Sequence, residues 1–150
     1  MKIIAVGNSF YGDDGVGAAV LDHARAADLW SDAELRDLGT DALALVDHLD
    51  PTGLNVVIDA AVMGLAPGSV AVFGPDEVRL RIRSDHLSLH GFGLAEAFDL
   101  ARRLGRLPDR LRIVGVQPAR VEINTGLSDE VAAAVPGIVA AINAEVSREH

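Results

Sequence analysis

Three short, unbroken apolar runs constrain this chain more than anything else in it: KIIAVG (2–7), LNVVID (54–59) and LRIVGV (111–116). Each is too short for a typical core helix and lacks the polar alternation of a strand with one wet face. They read as strands buried on both sides. Between them lie segments with helical period. Val16, Val20, Ala24 and Ala27 mark one face of a helix from Gly15 to about Ala27. Thr40 reads as the N-cap of a second helix, which runs to about Leu49 and is stopped by Pro51 and Gly53. A third begins near His90, with Leu94, Ala97, Ala101 and Leu104 in register. Ser128 caps a last helix carrying Val131, Val135, Ile138, Ile142 and Val146. Residues 33–38, 69–73 (SVAVF) and 78–82 (VRLRI) read as further strands, the last two expected to pair with each other. Strands alternating with helices predict an α/β fold, a mostly parallel sheet covered by helices on both faces. With 150 residues, no repeat and no linker, the chain reads as a single domain over 1–150.

Composition removes whole classes of function. There is no cysteine, which excludes a thiol nucleophile, a zinc–thiolate site and a disulfide framework, and fits a cytoplasmic setting. The formal net charge of −9 opposes binding to phosphate backbones, so no nucleic-acid partner is expected. No stretch reads as a membrane span, and the first apolar run is too short for a signal-peptide core. There is no GxSxG elbow and no HExxH helix. The arginines at 79–83 and 102–110 read as solvated faces, and His23 and His48 as surface residues of helices.

The chemistry concentrates at three places. The loop GNSFYGDDGVG (7–17) joins the first strand to the first helix, where open α/β sheets bind ligands. Asp13 and Asp14 stand at the helix start, where capping is the plain reading for either. Gly15 and Gly17 half-match a dinucleotide fingerprint, with Asp37 at a plausible distance for a ribose contact. However, the glycines come late after the strand, and two carboxylates occupy the helix N-terminus that a pyrophosphate would need. Asp59 closes the run LNVVID and is expected to emerge at the carboxyl edge of the sheet, beside that loop; a turn-starting aspartate is the alternative. The segment SDHLSLHGFG (84–93) supplies His86 and His90, the latter beside a glycine and well placed to face a cleft. Asp14, Asp59 and His90 together make an oxygen, oxygen, nitrogen donor set suited to nickel, zinc, manganese or iron.

These residues resemble the hydrogenase maturation endopeptidases, which process the large subunit of nickel–iron hydrogenases. GNSFYGDDGVG is similar to the family's N-terminal signature. RDLGTDALALVDHL (36–49), VVIDAAVMGLAPGSVAVF (56–73), LSLHGFGLAEAFDLARRLGRLP (87–108) and VGVQPARVEINTGLSDEVAAAVPGIVAAI (114–142) follow the family's later segments in order. The resemblance implies a three-layer sandwich with a twisted five-stranded sheet. It implies metal-binding positions at Asp14, Asp59 and His90, with Asp37 as a further acidic position of functional use. Some relatives carry glutamate where this chain has Asp14, a change that keeps a hard oxygen ligand. Departures at Ala5, Ser9 and Phe10 touch none of these positions. The activity implied is removal of a C-terminal extension from a nickel-loaded precursor. The precursor is the partner, its nickel is the metal engaged, and another divalent ion could take that place in the isolated protein. A monomer is expected. The rival of another class is a non-catalytic nucleotide- or metal-binding module on the same scaffold.

Overall fold

The computed structural model describes residues 1–85 and 91–148. Strands β1 (Lys2–Ala5), β2 (Glu34–Asp37), β3 (Asn55–Val62) and β6 (Leu111–Val116) are parallel, and β4 (Val70–Phe73) joins β6 antiparallel at one edge. Their order is β2-β1-β3-β6-β4. A two-residue strand, β5 (Ser84–Asp85), pairs antiparallel with the end of β3 and brings the sheet to six strands rather than five. The three apolar runs thus form the centre, where both faces are covered and no polar alternation is needed.

Alternate residues of these strands feed two cores. Ile4, Val6, Val57 and Ile113 pack against α2 (Ala42–His48) and α4 (Leu94–Arg103). Ile3, Val56, Ile58 and Val114 pack against α1 (Val16–Ala26) and α5 (Asp129–Arg148). The chain leaves β1 through α1 to β2 on one side, then returns through α2 to β3 on the other side of β1. The sheet therefore has its topological switch point between β1 and β3, and a crevice opens beyond their carboxyl ends.

Four expectations need correction. Residues 78–82 do not pair with 69–73; Val78–Arg81 is the one-turn helix α3, entered through a 3-10 turn at Pro75–Glu77. The proline and two acids there suit a helix start, and β4 finds its partner in β6 instead. Asp41, not Thr40, caps α2, accepting the Ala44 amide at 3.0 Å. β3 does not end at Asp59 but runs on to Val62, held by β6 and then β5. Finally, α5 is long and apolar enough, by length and composition alone, to cross a membrane. Its many alanines give it that character, while its Val131, Ile138 and Ile142 are buried in the second core. As expected, Ser128 caps it, its Oγ accepting the Val131 amide at 3.3 Å. The arginine clusters lie on solvated faces, pairing with carboxylates such as Asp99 and Asp76, each at 2.7 Å. Exposed pairs of this kind contribute at most about 1 kcal/mol each.

Candidate active site

The loop after β1 reaches α1 through a 3-10 turn, Gly12–Gly15, that holds both aspartates of the GDDG segment. Adjacent residues on so tight a turn point in different directions, and the two acids do different work. Neither caps the helix: no side-chain cap bond forms at either N-terminus. Asp14, 2% exposed, accepts the Asn8 amide at 2.6 Å and lines the cleft. Asp13, fully buried, turns the other way. It accepts the amides of Ala119 and Arg120 at 2.8 Å, the amide of Ser128 at 2.7 Å and the Ser128 hydroxyl at 2.8 Å. Burial pushes its carboxyl up, but these four hydrogen bonds together outweigh burial and hold it below the usual aspartate range.

Gly7 makes this loop possible. It sits at φ +132°, and a Cβ there would strike the Asp14 carbonyl oxygen. Gly7→Ala is expected to lose roughly 3 kcal/mol of stability through backbone strain and the forced shift of Asp14. Urea denaturation measures this, and a loss under 1 kcal/mol would mean the loop can relax around the methyl group.

Asp59 sits inside β3 opposite Gly115 of β6, not at the strand's end. It is fully buried, and neither carboxylate oxygen makes a hydrogen bond. The turn-aspartate reading fails on that ground. Burial pushes its carboxyl well above the ordinary aspartate range. The negative field of Asp85 and a close approach by that carboxyl add to the rise, as does the charge of Asp14. The Ala60 amide opposes it weakly, and neither Asp85 nor Ala60 forms a hydrogen bond of normal geometry with Asp59.

Above these acids lies a cleft of about 170 Å³. Asp14, Ser84 and Asp85 give it polar walls, and Ala60, Val62, Pro118 and Val121 apolar ones. Its rim is conspicuously apolar. Val62, Val121, Ile123 and Phe10 are 37%, 46%, 61% and 71% exposed. Tyr11 and Ile123 form an antiparallel bridge, and the Asn124 amide donates to the Phe10 carbonyl at 2.7 Å, so both rim loops are tied together. Among the described residues, no three histidine or carboxylate side chains are already drawn to metal-ligand spacing. The acids flank a space; they do not form a finished cage.

Of the four residues expected at the site, two come together here: Asp14 and Asp59. His90, like His86, lies outside the described residues. Asp37 is exposed at the end of β2, two strands from β3, a separation of roughly 10 Å at ordinary strand spacing. Its Oδ1 accepts the Gly39 amide at 2.9 Å, and the Gly39 carbonyl in turn accepts the Gly7 amide at 2.8 Å. Two further buried acids of this region, Asp13 and Asp85, are not among the expected site residues. Capping is the plain reading of Asp13 in the sequence, and the only signal for Asp85 is its place in the histidine-bearing segment SDHLSLH.

The profile of the hydrogenase maturation protease family matches residues 22–145. The chain belongs to that family. Among curated relatives, the hydrogenase expression/formation protein HupM of Azotobacter chroococcum mcd 1 is 35% identical over 121 residues, which is 80% of this chain and 58% of that protein. The chain thus spans less than two thirds of the length of such relatives. Among solved structures, the hydrogenase maturating endopeptidase HybD from E. coli superposes with a TM-score of 0.82 at 26% identity, covering 99% of this chain and 94% of that one. The [NiFe] hydrogenase maturation protease HybD from Thermococcus kodakarensis gives 0.71 at 28% identity, with 95% of each chain covered. Gly17, which half-matches a dinucleotide fingerprint in the sequence, has a plain packing role here. A Cβ there would lie 2.8 Å from that of Ala5, so the glycine serves close helix–sheet packing and is not open to a dinucleotide.

Proposed function

We propose that this chain is an endopeptidase that removes the C-terminal extension of a nickel-loaded nickel–iron hydrogenase large-subunit precursor, working as a cytoplasmic monomer. The observation that carries this reading is Asp59. A buried carboxylate without a hydrogen-bond partner, beside two further acids at a cleft, is costly unless a cation answers it. A doubly charged ion brought by the substrate would relieve that cost, and would do so only for a precursor that carries its metal. The acids therefore suit recognition of a loaded precursor.

In this reading Asp14 and Asp59 supply oxygen donors and His90 a nitrogen donor to the substrate's nickel. Another divalent ion could take the same place in the isolated protein. Seating the ion fixes the neighbouring peptide against the cleft, and positioning of this kind can supply several kcal/mol of a barrier. The ion's charge polarises a nearby carbonyl or water. With neither a cysteine nor a GxSxG serine motif in the chain, this reading takes water as the attacking group. Asp37 acts from outside the cleft, through the Gly39 turn that holds Gly7. The segment around the scissile bond lies over the apolar rim, which is continuous with the cleft at Val62 and Val121.

The rim gives a direct prediction. Val121→Ser combined with Ile123→Ser should lower kcat/KM about 10- to 100-fold, mostly through KM, because burying two such side chains contributes about 0.7–1.4 kcal/mol each at partial burial. The melting temperature should stay near that of the unaltered chain, since both residues are already exposed. A fall in kcat at unchanged KM would argue against a docking role.

The test of the activity itself is to mix the chain with a nickel-loaded precursor and with the same precursor lacking nickel. Mass spectrometry should show loss of a C-terminal peptide only in the first. Nickel transfer without any change in the precursor's mass would favour a non-catalytic metal carrier. Cleavage independent of nickel would remove the recognition role of the acids.

A further inference from the structure

We propose that Gln117 is a positioning residue of the cleft: its side-chain amide joins the loop after β3 to the segment after β6, and so sets the spacing of the two apolar walls that receive the precursor's scissile segment. This role rests on the endopeptidase reading above and adds to it a residue that acts through its neighbours.

The parallel pairing of β3 with β6 ends at Ala60 and Val116. Pro118 follows soon after, and a proline has no amide hydrogen with which to carry a ladder onward. β3 nevertheless runs on to Val62, past the end of its partner. The side chain of Gln117 takes the strand's place. Its Oε1 accepts the Met63 amide at 2.7 Å and the Leu65 amide at 3.2 Å. Both amides reach one oxygen because Gly64 between them stands at φ +74°, a left-handed conformation that turns neighbouring N–H groups toward a single acceptor. The backbone of Gln117 is engaged on the other side. Its amide donates to the Ser69 carbonyl at 2.9 Å and its carbonyl accepts the Gly68 amide at 2.8 Å, which prolongs the pairing of β4 with β6. Its Nε2 donates to the Pro118 carbonyl at 3.4 Å.

These bonds hold the cleft. Val62 and Pro118 both line it, one from the end of β3 and the other from just beyond β6. The Val62 carbonyl accepts the Arg83 amide at 2.7 Å, so Val62 is tied to the chain entering β5 and, through the amide of the next residue, to Gln117. Pro118 follows Gln117 directly, and beyond it the Ala119 and Arg120 amides are fixed by Asp13. Gln117 thus has hydrogen bonds on both walls at once. Met63 adds a second consequence. Its sulfur fills the space above Gly115, where a Cβ would lie 2.8 Å from it. Gly115 stands opposite Asp59 in register, and paired residues face the same side of a sheet. The Met63 side chain therefore helps to close off the side of the sheet on which Asp59 is buried. Gln117 itself is 8% exposed, so little water can replace its bonds. An apolar side chain of the same length would fill the space and leave two amides and a carbonyl unanswered.

The experiment compares Gln117→Met, which keeps the length and loses the bonds, with Gln117→Glu, which keeps the acceptor oxygen, and with Ile142→Val, a variant of the second core that lowers stability away from the cleft. All are assayed on the nickel-loaded precursor at a temperature where each is fully folded. Gln117→Met should lose about 10- to 100-fold in kcat with KM within about threefold, because the ion and the rim still hold the precursor while its scissile segment is no longer aligned. Gln117→Glu should recover part of that loss. Ile142→Val should leave kcat and KM unchanged despite a comparable fall in melting temperature. In the chain alone, NMR should show the methyl signals of Val62 and Val121 shifted, and the Met63 and Leu65 amides exchanging faster, in Gln117→Met and not in Ile142→Val. Should Gln117→Met not fold, Gln117→Asn, a methylene too short to reach both walls, carries the same expectations. Unchanged kcat in the folded variant overturns the proposal, as do Val62 methyl signals that stay in place or a failure of both variants to fold. An unaltered chain that leaves the loaded precursor intact sinks the endopeptidase reading instead, and Gln117 is then decided by the methyl and exchange measurements.

Discussion

Asp59→Asn should abolish precursor cleavage, by about 1,000-fold or more in kcat/KM, and at the same time raise the melting temperature of the metal-free chain. Losing the charged oxygen that Asp59 offers the substrate's nickel removes the positioning of the loaded precursor over the cleft, and positioning of this kind can supply several kcal/mol of a barrier. The gain in stability follows from where the carboxyl sits. Burial, the field and approach of Asp85, and the charge of Asp14 all oppose its ionised form, and no hydrogen bond answers them. Its carboxyl in the folded chain therefore holds a proton at pH values where the unfolded chain has released it. The folded state then binds more protons than the unfolded one, and stability falls as pH rises above 3.8, the unperturbed value. Asparagine keeps the shape and removes this effect. The stability gap between the variant and the unaltered chain should be smallest near pH 4 and widen toward neutral pH, reaching about 3–10 °C if the relief is one to three kcal/mol. Nickel should narrow the gap by stabilising only the unaltered chain. Thermal melts across pH 4–8, with and without the ion, decide it. A variant that melts lower at pH 7 would show that Asp59 is a structural acid.

The same residue shows what the sequence can and cannot carry. A charged residue closing an apolar run is visible by eye, because a buried strand rarely tolerates one without a use for it. The fold class was legible for the same reason: the three apolar runs became β1, β3 and β6, the middle of the sheet. Edges were harder. Residues 78–82 alternate like a strand, yet the turn at Pro75–Glu77 starts a helix, and the true partner of β4 lies some 40 residues downstream in β6. Non-local pairing of that kind leaves no local trace. The burial of Asp85 was not legible, because a two-residue strand has no periodicity to detect and its pairing partner is the overhang of β3 past Asp59. Asp14 was singled out over Asp13, but the work Asp13 does was not legible, because it depends on direction on a 3-10 turn and its partners lie more than 100 positions away.

Asp13→Ala should cost about 3–5 kcal/mol of folding stability, and most of that should come from residues far from it in sequence. Its carboxylate is the shared acceptor for three backbone amides and one hydroxyl, and a buried donor left without an acceptor costs about 1–3 kcal/mol. The segment it holds, 117–128, carries Pro118 and Val121 of the cleft wall, and Ser128, which caps α5. The variant should therefore lose cleavage together with stability, although Asp13 does not line the cleft. The pH dependence runs opposite to that of Asp59. A carboxyl held low contributes its full stabilisation above 3.8 and loses it as pH falls through its lower folded value, so the unaltered chain and the variant should converge in acid. Hydrogen exchange separates this from the plainer alternative. A lost helix cap costs about 1 kcal/mol and frays the first turn of α1. Loss of the Asp13 junction should instead accelerate exchange at the amides of Ala119, Arg120 and Ser128 while the interior of α1 stays protected. If the first turn of α1 were the segment that opened, Asp13 would be a cap after all, and the cleft wall would owe its position to something else.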